Sequence, residues 1–453
     1  MKKPQGMVNF FIIWVGQVFS LLGTAMSGFA LTIWAWSATG KATSLALVGF
    51  FSFFPMVIAS PFAGALVDRW NRKLTMMLSD IASGLMTVVV LVLYLLGKLQ
   101  IWHLFITGAI SGIFQAFQWP AYSAAITMII PKEHYGRAAG LMSVAESGSG
   151  ILAPIMAAAL LGFIGITGVL AIDLVTLAMA VSALLIARVP QPPRTEVGLE
   201  AQGSLFKEAG YGFRYIFSRP PLLGLQLVFF MGNLLAAIGG TVVAPRILAQ
   251  TGNNATILGT VQSVAGIGGM LGGIIMSIWG GFKRKIHGVL TGWILSFAFL
   301  SVSFGLAQTP LLWAVSSFLG SMIIPIINAS NQAIWQSKIP PDIQGKVFSV
   351  RRLIAQLSAP ISMLIAGPLA DNVFEPLMRS QNSLSNFLYP VFGIGPGRGM
   401  ALMIFFIGVL GILIAASSYL IKPVRDVELL IPDYDVYLKA EVQEEAVPTL
   451  ASQ

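Results

Sequence analysis

The chain has 453 residues, 56% of them hydrophobic and only 10% charged, with a net charge of +9 and a mean hydropathy of +0.81. Soluble domains carry about 25% charged residues, so this composition excludes a water-solvated globule and leaves a polytopic membrane protein. The absence of cysteine removes disulfides, thiolate metal sites and thiol nucleophiles. His103, His134 and His287 are scattered without metal-ligand spacing. No metal, cofactor or catalytic cluster is expected, and the reading is not an enzyme. The net positive charge does not point to nucleic acid, because the basic residues gather in loops between apolar runs.

Twelve apolar segments are long enough to cross a bilayer, which takes about 20 helical residues. They run over 8–36, 45–67, 74–96, 101–126, 137–163, 167–187, 222–248, 256–279, 289–307, 311–334, 348–369 and 400–420. The first is too long for the apolar region of a cleaved signal, so it reads as a retained span. With both termini placed in the cytoplasm, all but five of the 27 lysines and arginines fall on that side. The five are Lys41, Lys98, Arg246, Arg379 and Arg398. This bias sets the orientation.

Between the second and third spans lies Gly64-Ala-Leu-Val-Asp68-Arg69-Trp-Asn-Arg72-Lys73. Gly64 suits a close helix approach, Asp68 suits a helix N-terminus, and Arg69, Arg72 and Lys73 suit an inner-face loop. A plain basic loop explains the cations but not the Gly–Asp spacing. On the fourth span Gln115, Gln118 and Tyr122 share a face, with Trp119 beside them. The fifth span carries Gly140, Ser149, Ala153, Pro154, Ala157 and Ala158, small residues suited to close packing.

Three carboxylates fall inside apolar segments, where charge is costly and functional by default. Glu146 lies near the middle of the fifth span and is the best candidate for proton coupling or for attracting a cationic guest. A packed glutamate bonded to a neighbouring helix is the competing reading. For Asp80 and Asp173 a structural role is favoured.

Residues 188–221 form the longest cytoplasmic connection, opening on Pro190, Pro192 and Pro193. Phe206, Ala209, Phe213 and Phe217 recur there at helical spacing, with Lys207, Glu208 and Arg214 elsewhere around the turn. This predicts an amphipathic helix on the inner membrane surface, with partner binding as the lesser alternative. The segments at 130–137 and 339–346 match at an offset of 209 residues, which also carries Gly64 onto Gly273 and Asp68 onto Ser277. The basic cluster reappears at Lys283-Arg284-Lys285, and Ala153-Pro154 matches Ala359-Pro360 with a small slip. Matches in order imply duplicated halves with a path between them.

The same offset superposes Trp119 on Asn328 and Tyr122 on Asn331. Asn328, Asn331 and Trp335 share a face of the tenth span, so both halves are expected to look into a common cavity. Trp14, Gln17 and Asn233 are candidates to join it, with interhelical hydrogen bonding as the alternative for each. The glycines of 266–273 have no P-loop lysine and read as helix packing. The acidic tail after Leu420 reads as a solvated extension.

These motifs resemble the major facilitator superfamily. Trp14, Gly16-Gln17, Ser20, Leu22-Gly23, Thr39-Gly40, Gln118-Trp119-Pro120-Ala121-Tyr122, Pro131-Lys132-Glu133, Gly136-Arg137-Ala138 and the glycine-rich 393–399 look like its macrolide-efflux and enterobactin-exporter-like branch of drug:proton antiporters. The fourth span lacks the arginine that many related antiporters bury there. The resemblance implies an all-α fold of two pseudo-symmetric six-helix bundles. It divides the chain into a bundle at 1–187, a linker at 188–221, a bundle at 222–421 and a cytoplasmic tail at 422–453. It implies that Gly64, Asp68, Arg69, Arg72 and Lys73 form a conformational latch. It also implies a monomeric multi-pass exporter in the plasma or inner membrane. Its guest would be a hydrophobic or amphipathic small molecule, driven by protons. A lysophospholipid flippase of the same fold and an importer are the alternatives.

Overall fold

The computed structural model describes residues 5–67, 70–131, 134–189, 205–380 and 383–434, and every regular element among them is helical. In chain order these are α1 (Gln5–Thr39), α2 (Ala42–Val67), α3 (Arg72–Leu95), α4 (Ile101–Ile129), α5 (Tyr135–Ile186), α6 (Leu205–Phe217) and α7 (Pro220–Thr241). There follow α8 (Val243–Gln250), α9 (Ala255–Trp279), α10 (Lys285–Phe297), α11 (Pro310–Lys338), α12 (Pro341–Leu369), α13 (Ser383–Phe392) and α14 (Arg398–Ser417). Among the described residues ten stretches are long and apolar enough to cross a bilayer. One of them, within α5, is broken at Gly165, where φ of 62° and ψ of −172° reverse the chain. That break makes two spans, and the 29 residues of α4 complete the twelve.

The helices are solvated outside by lipid and inside by one another. Leu85, Val92 and Leu95 of α3 are more than 45% exposed, while Ser79, Asp80 and Gly84 of the same helix are buried. Small residues set the internal spacing. Gly16 and Gly23 of α1 lie against Ala180 and Asp173 of α5, so that a Cβ at either would sit about 3.1 Å from a backbone Cα. In the second half Gly268 and Gly272 of α9 abut the Phe318 and Met322 carbonyls of α11. The glycine run of 266–273 is therefore a packing surface.

The internal repeat is visible in the helix ends. α4 and α11 each have 29 residues, and the 209-residue offset carries the limits of one onto the other. The end of the molecule bearing Arg72, Lys73, Arg137 and Lys283–Lys285 is called the basic end below. The other end carries Gly40, Gly165, Gln250 and Asp371.

The two halves touch close to that opposite end. Asp371, just beyond α12, accepts from Ala42 N (3.0 Å), Thr43 N (2.8 Å) and Thr43 Oγ1 (2.6 Å), and so caps the start of α2. Gly367 lets α12 close on Thr43 and Ala46. On the other seam Gly259 and Gly266 of α9 meet Pro154, Ala158 and Ile151 of α5, and Ser263 Oγ donates to the Ile151 carbonyl. The small residues predicted on the fifth span, Ala153, Ala157 and Ala158, are buried at this contact.

The predicted span 222–248 falls within one apolar stretch, Pro220–Gln250, in which α7 ends at Thr241 and Arg246 lies in the short α8 that follows. Its fully buried guanidinium donates to the Phe304, Gly305 and Ala307 carbonyls, which closes the end of the ninth span. α10 continues through a π turn at Ala298–Ser303, a departure that apolar patterning does not encode. α6 buries Ile216 and packs Gly212 on Lys346 and Val350 of α12, while Phe213 and Phe217 stay exposed. It leans on the bundle with one face and leaves an apolar face exposed.

The tail is not a free extension where it is described. Glu428 accepts from Lys285 N (3.0 Å) and Ile286 N (2.9 Å), capping α10. Lys338 Nζ donates to the Glu428 carbonyl and pairs with Asp433 at 2.8 Å, and Arg284 pairs with Asp426 at 3.1 Å. Residues 435–453 and the prolines at 190–193 lie outside the described residues.

Candidate translocation site

The first half holds a cavity of about 210 Å³ lined by α1, α4 and α5. Trp14, Gln17, Gln115, Gln118, Trp119, Tyr122 and Glu146 all line it, so seven sequence candidates meet at one place. Glu146 is exposed there. Trp14 is fixed by donating from Nε1 to the Leu141 carbonyl at 3.0 Å.

Asp80 stands at the back of this wall and is 8% exposed. Gln17 Nε2 donates to Oδ2 and Gln118 Nε2 to Oδ1, each at 3.0 Å. Gln118 Nε2 also donates to Gln17 Oε1 at 3.0 Å. Three helices thus converge on one carboxylate through two amides that also face the cavity. Among the described residues Gln118 Oε1 and the Tyr122 hydroxyl find no protein partner, although both are buried. Such groups are uncommon in folded proteins and call for an explanation.

Asp173 is elsewhere. It is 4% exposed and accepts from Thr24 Oγ1 (3.1 Å) and Thr87 Oγ1 (3.2 Å), so it ties α1 and α3 to the later part of α5.

The second half has a cavity of about 560 Å³, lined by Phe229, Asn328, Ala329, Gln332, Phe348, Arg351, Arg352 and Ala355. Asn328 lines it, but Asn331 does not. Asn331 is fully buried and accepts from Trp335 Nε1 at 3.1 Å, because that face of α11 packs into the core. Asn233 lies outside both linings and donates to Phe229 O on its own helix at 2.7 Å. Arg351 and Arg352 were not among the sequence candidates. Both stand near the start of the predicted span 348–369, at the basic end, where a cation reads as part of the neighbouring loop's charge.

Of the loop residues, Gly64 lies in α2, and Asp68 and Arg69 lie outside the described residues. Arg72 Nη1 donates to the Ala124 carbonyl (2.8 Å), and Lys73 Nζ to those of Leu185 and Ala187 (both 2.9 Å). These bonds stay within the first half.

A twelve-span helical bundle with an internal repeat and polar cavities within its walls is the architecture of a membrane transporter. Residues 13–363 match the Major Facilitator Superfamily, and the chain belongs to that family of secondary transporters. It is a multi-pass membrane protein and not an enzyme. It is 26% identical over 370 residues to macrolide efflux protein A of Streptococcus pyogenes, covering 81% of this chain and 90% of the relative. It is 26% identical over 367 residues to the multidrug efflux pump Tap of Mycolicibacterium fortuitum, covering 78% and 87%. Among solved structures, a bacterial homolog of the human lysosomal transporter Spinster, inward-facing and unoccupied, matches with a TM-score of 0.66. Identity there is 16%, over 93% of this chain and 98% of that one. A D-xylose-proton symporter matches with a TM-score of 0.63 and 16% identity, over 90% and 96%. These likenesses establish the fold.

Proposed function

We propose that this transporter exports a hydrophobic or amphipathic small molecule against inward proton flow, as a monomer in the plasma or inner membrane with both termini in the cytoplasm. The observation that carries the reading is the Gln17–Asp80–Gln118 network behind the aromatic cavity. An ionised Asp80 accepts two amide donors. A protonated Asp80 has an O–H to give, and one amide must turn its carbonyl to take it. Gln118 Oε1 is the unpartnered atom in reach of that role. Proton uptake would then reorient an amide that lines the guest's cavity, so that proton and guest compete for one arrangement. Glu146, exposed in the same cavity, would attract a cationic guest or take a second proton.

The basic end faces the cytoplasm by the loop asymmetry. With the halves joined at the opposite end, we read the arrangement as inward-open, and rocking about that seam would reverse the access. The bundle limits 1–187 and 222–421, with the linker at 188–221 and the tail at 422–453, belong to this proposal. So does the latch role of Gly64, Asp68, Arg69, Arg72 and Lys73. Asp173 is assigned to structure. Efflux by the two named relatives supports the direction.

The test is transport of a panel of fluorescent compounds, macrolides included, into everted vesicles with and without a pH gradient. Asp80→Asn is expected to abolish gradient-driven movement while leaving equilibrium exchange, and Glu146→Gln to reduce it. Full gradient-driven export by the double variant would refute the proton route. Uptake in place of export would refute the direction.

A further inference from the structure

We infer that the 560 Å³ cavity of the second half is a subsite for an anionic group, a carboxylate or phosphate, carried on an amphipathic molecule. Arg351 lies about ten residues into α12, roughly 15 Å along the helix, and inside the predicted span 348–369. Its Nη1 donates to Gln332 Oε1 at 2.7 Å, and its guanidinium lies 5.4 Å from the Trp335 ring and 5.8 Å from the Phe348 ring. These contacts hold the fork in place without answering its charge. Among the described residues the ion pairs involve Arg284, Lys338, Arg379 and Arg425, and no carboxylate pairs with Arg351 or Arg352. A partly buried cation without a counter-charge is costly to keep. A planar guanidinium aimed at a cavity matches the two oxygens of a carboxylate or phosphate.

The rest of the lining tells the same story. The polar groups are Asn328, Gln332 and the two arginines, and the remainder is apolar, led by Phe229 and Phe348. The molecule that fits has an anionic head and an apolar body. The repeat sharpens the contrast. At the 209-residue offset Arg351 stands where the first half has Met142, and Ala355 where it has Glu146. Both pairs line their respective cavities. The two halves line this helix face with a carboxylate in one and a guanidinium in the other, one turn apart.

That such a molecule is cargo rests on the export reading; that it binds here does not. The experiment therefore measures equilibrium binding with no gradient, on the full chain purified in maltoside micelles. The probe is dansyl-undecanoic acid, with a dansyl alkylamine of equal length as the cationic counterpart. Arg351→Gln is expected to weaken the acid by about tenfold, the scale of one lost charge-assisted bond. Arg351→Gln/Arg352→Gln should weaken it further, and Arg351→Lys should recover part by keeping the charge but not the fork. The amine should bind no worse in any of them, and Glu146→Gln should leave the acid unchanged. Arg352 is exposed, so Arg352→Gln alone is a variant that folds, and it should show a smaller loss. Lysophosphatidate should displace the acid. Displacement by inorganic phosphate at the same concentration would overturn the amphipathic assignment. Wild-type affinity for the acid in the monodisperse double variant would overturn the subsite.

Discussion

Asp371 is the residue on which the closed end turns. One carboxylate takes two backbone N–H groups and a hydroxyl at the start of α2, across the boundary between the halves. A carboxylate at a helix N-terminus is worth about 1–2 kcal/mol as cap and dipole partner. Asp371→Asn should therefore shift the balance between closed and open by about tenfold at that end. The readout is Ala46→Cys, buried at the seam beside Gly367, in a chain that has no native cysteine. Its labelling by an impermeant maleimide from the opposite end should rise in the Asn variant, and unchanged labelling would remove Asp371 from the gate. Such a role was not legible in the sequence, because Asp371 follows a proline-bearing helix end and resembles any loop acid. Glu146 and Asp80 were legible, since each interrupts an apolar run. What the run could not show was that Asp80 would gather Gln17 and Gln118, which are 63 and 38 positions away.

At the scale of elements, the helices could be read directly because lipid demands long apolar stretches and leaves little else to vary. Their ends and breaks could not. Arg246, just past the end of α7 at Thr241, finds three carbonyls of another helix. The tail illustrates the same limit: its acids look like a solvated run, and only the fold brings Glu428 to α10. In the second half Ser277 replaces the aspartate of the first-half loop, and Glu428 supplies a carboxylate to that end from the tail. Glu428→Gln should lower the melting temperature by a few degrees, consistent with about 1 kcal/mol for a lost cap. An unshifted melting curve would show the cap to be idle.

The neighbouring Asp426 makes the docking depend on acidity. Hydrogen bonding to Arg425 holds its carboxyl below the ordinary value of 3.8, with Arg284 adding to the effect. A folded value below the unfolded one stabilises docking above the unfolded value, and the gain disappears as pH falls through the folded value. Protection of the tail from protease should be flat above about pH 5 and fall below about pH 4.

For the whole molecule, the repeat in sequence announced the symmetry but not the state. Small residues at 153–158 and 259–266 could pack in several ways; the structure joins them at the end away from the basic loops. Ala145→Cys, in the first cavity, should react with an impermeant maleimide in everted vesicles and resist it in right-side-out ones. Ser263→Cys, fully buried at the seam, should resist in both. The reverse pattern for Ala145→Cys would invert the membrane orientation.

The reversal at Gly165 has a mechanical corollary. Trp14 reaches Leu141 before the turn, and Gly16 touches Ala183 after it, so the fifth and sixth spans run antiparallel with a single residue between them. A joint with no slack cannot let one limb slide while the other stays. The limb that carries Glu146 and the Ile151–Ala158 contact surface is therefore tied end to end to the limb that carries Asp173 and its threonine anchors, and neither can travel far along its axis without the other.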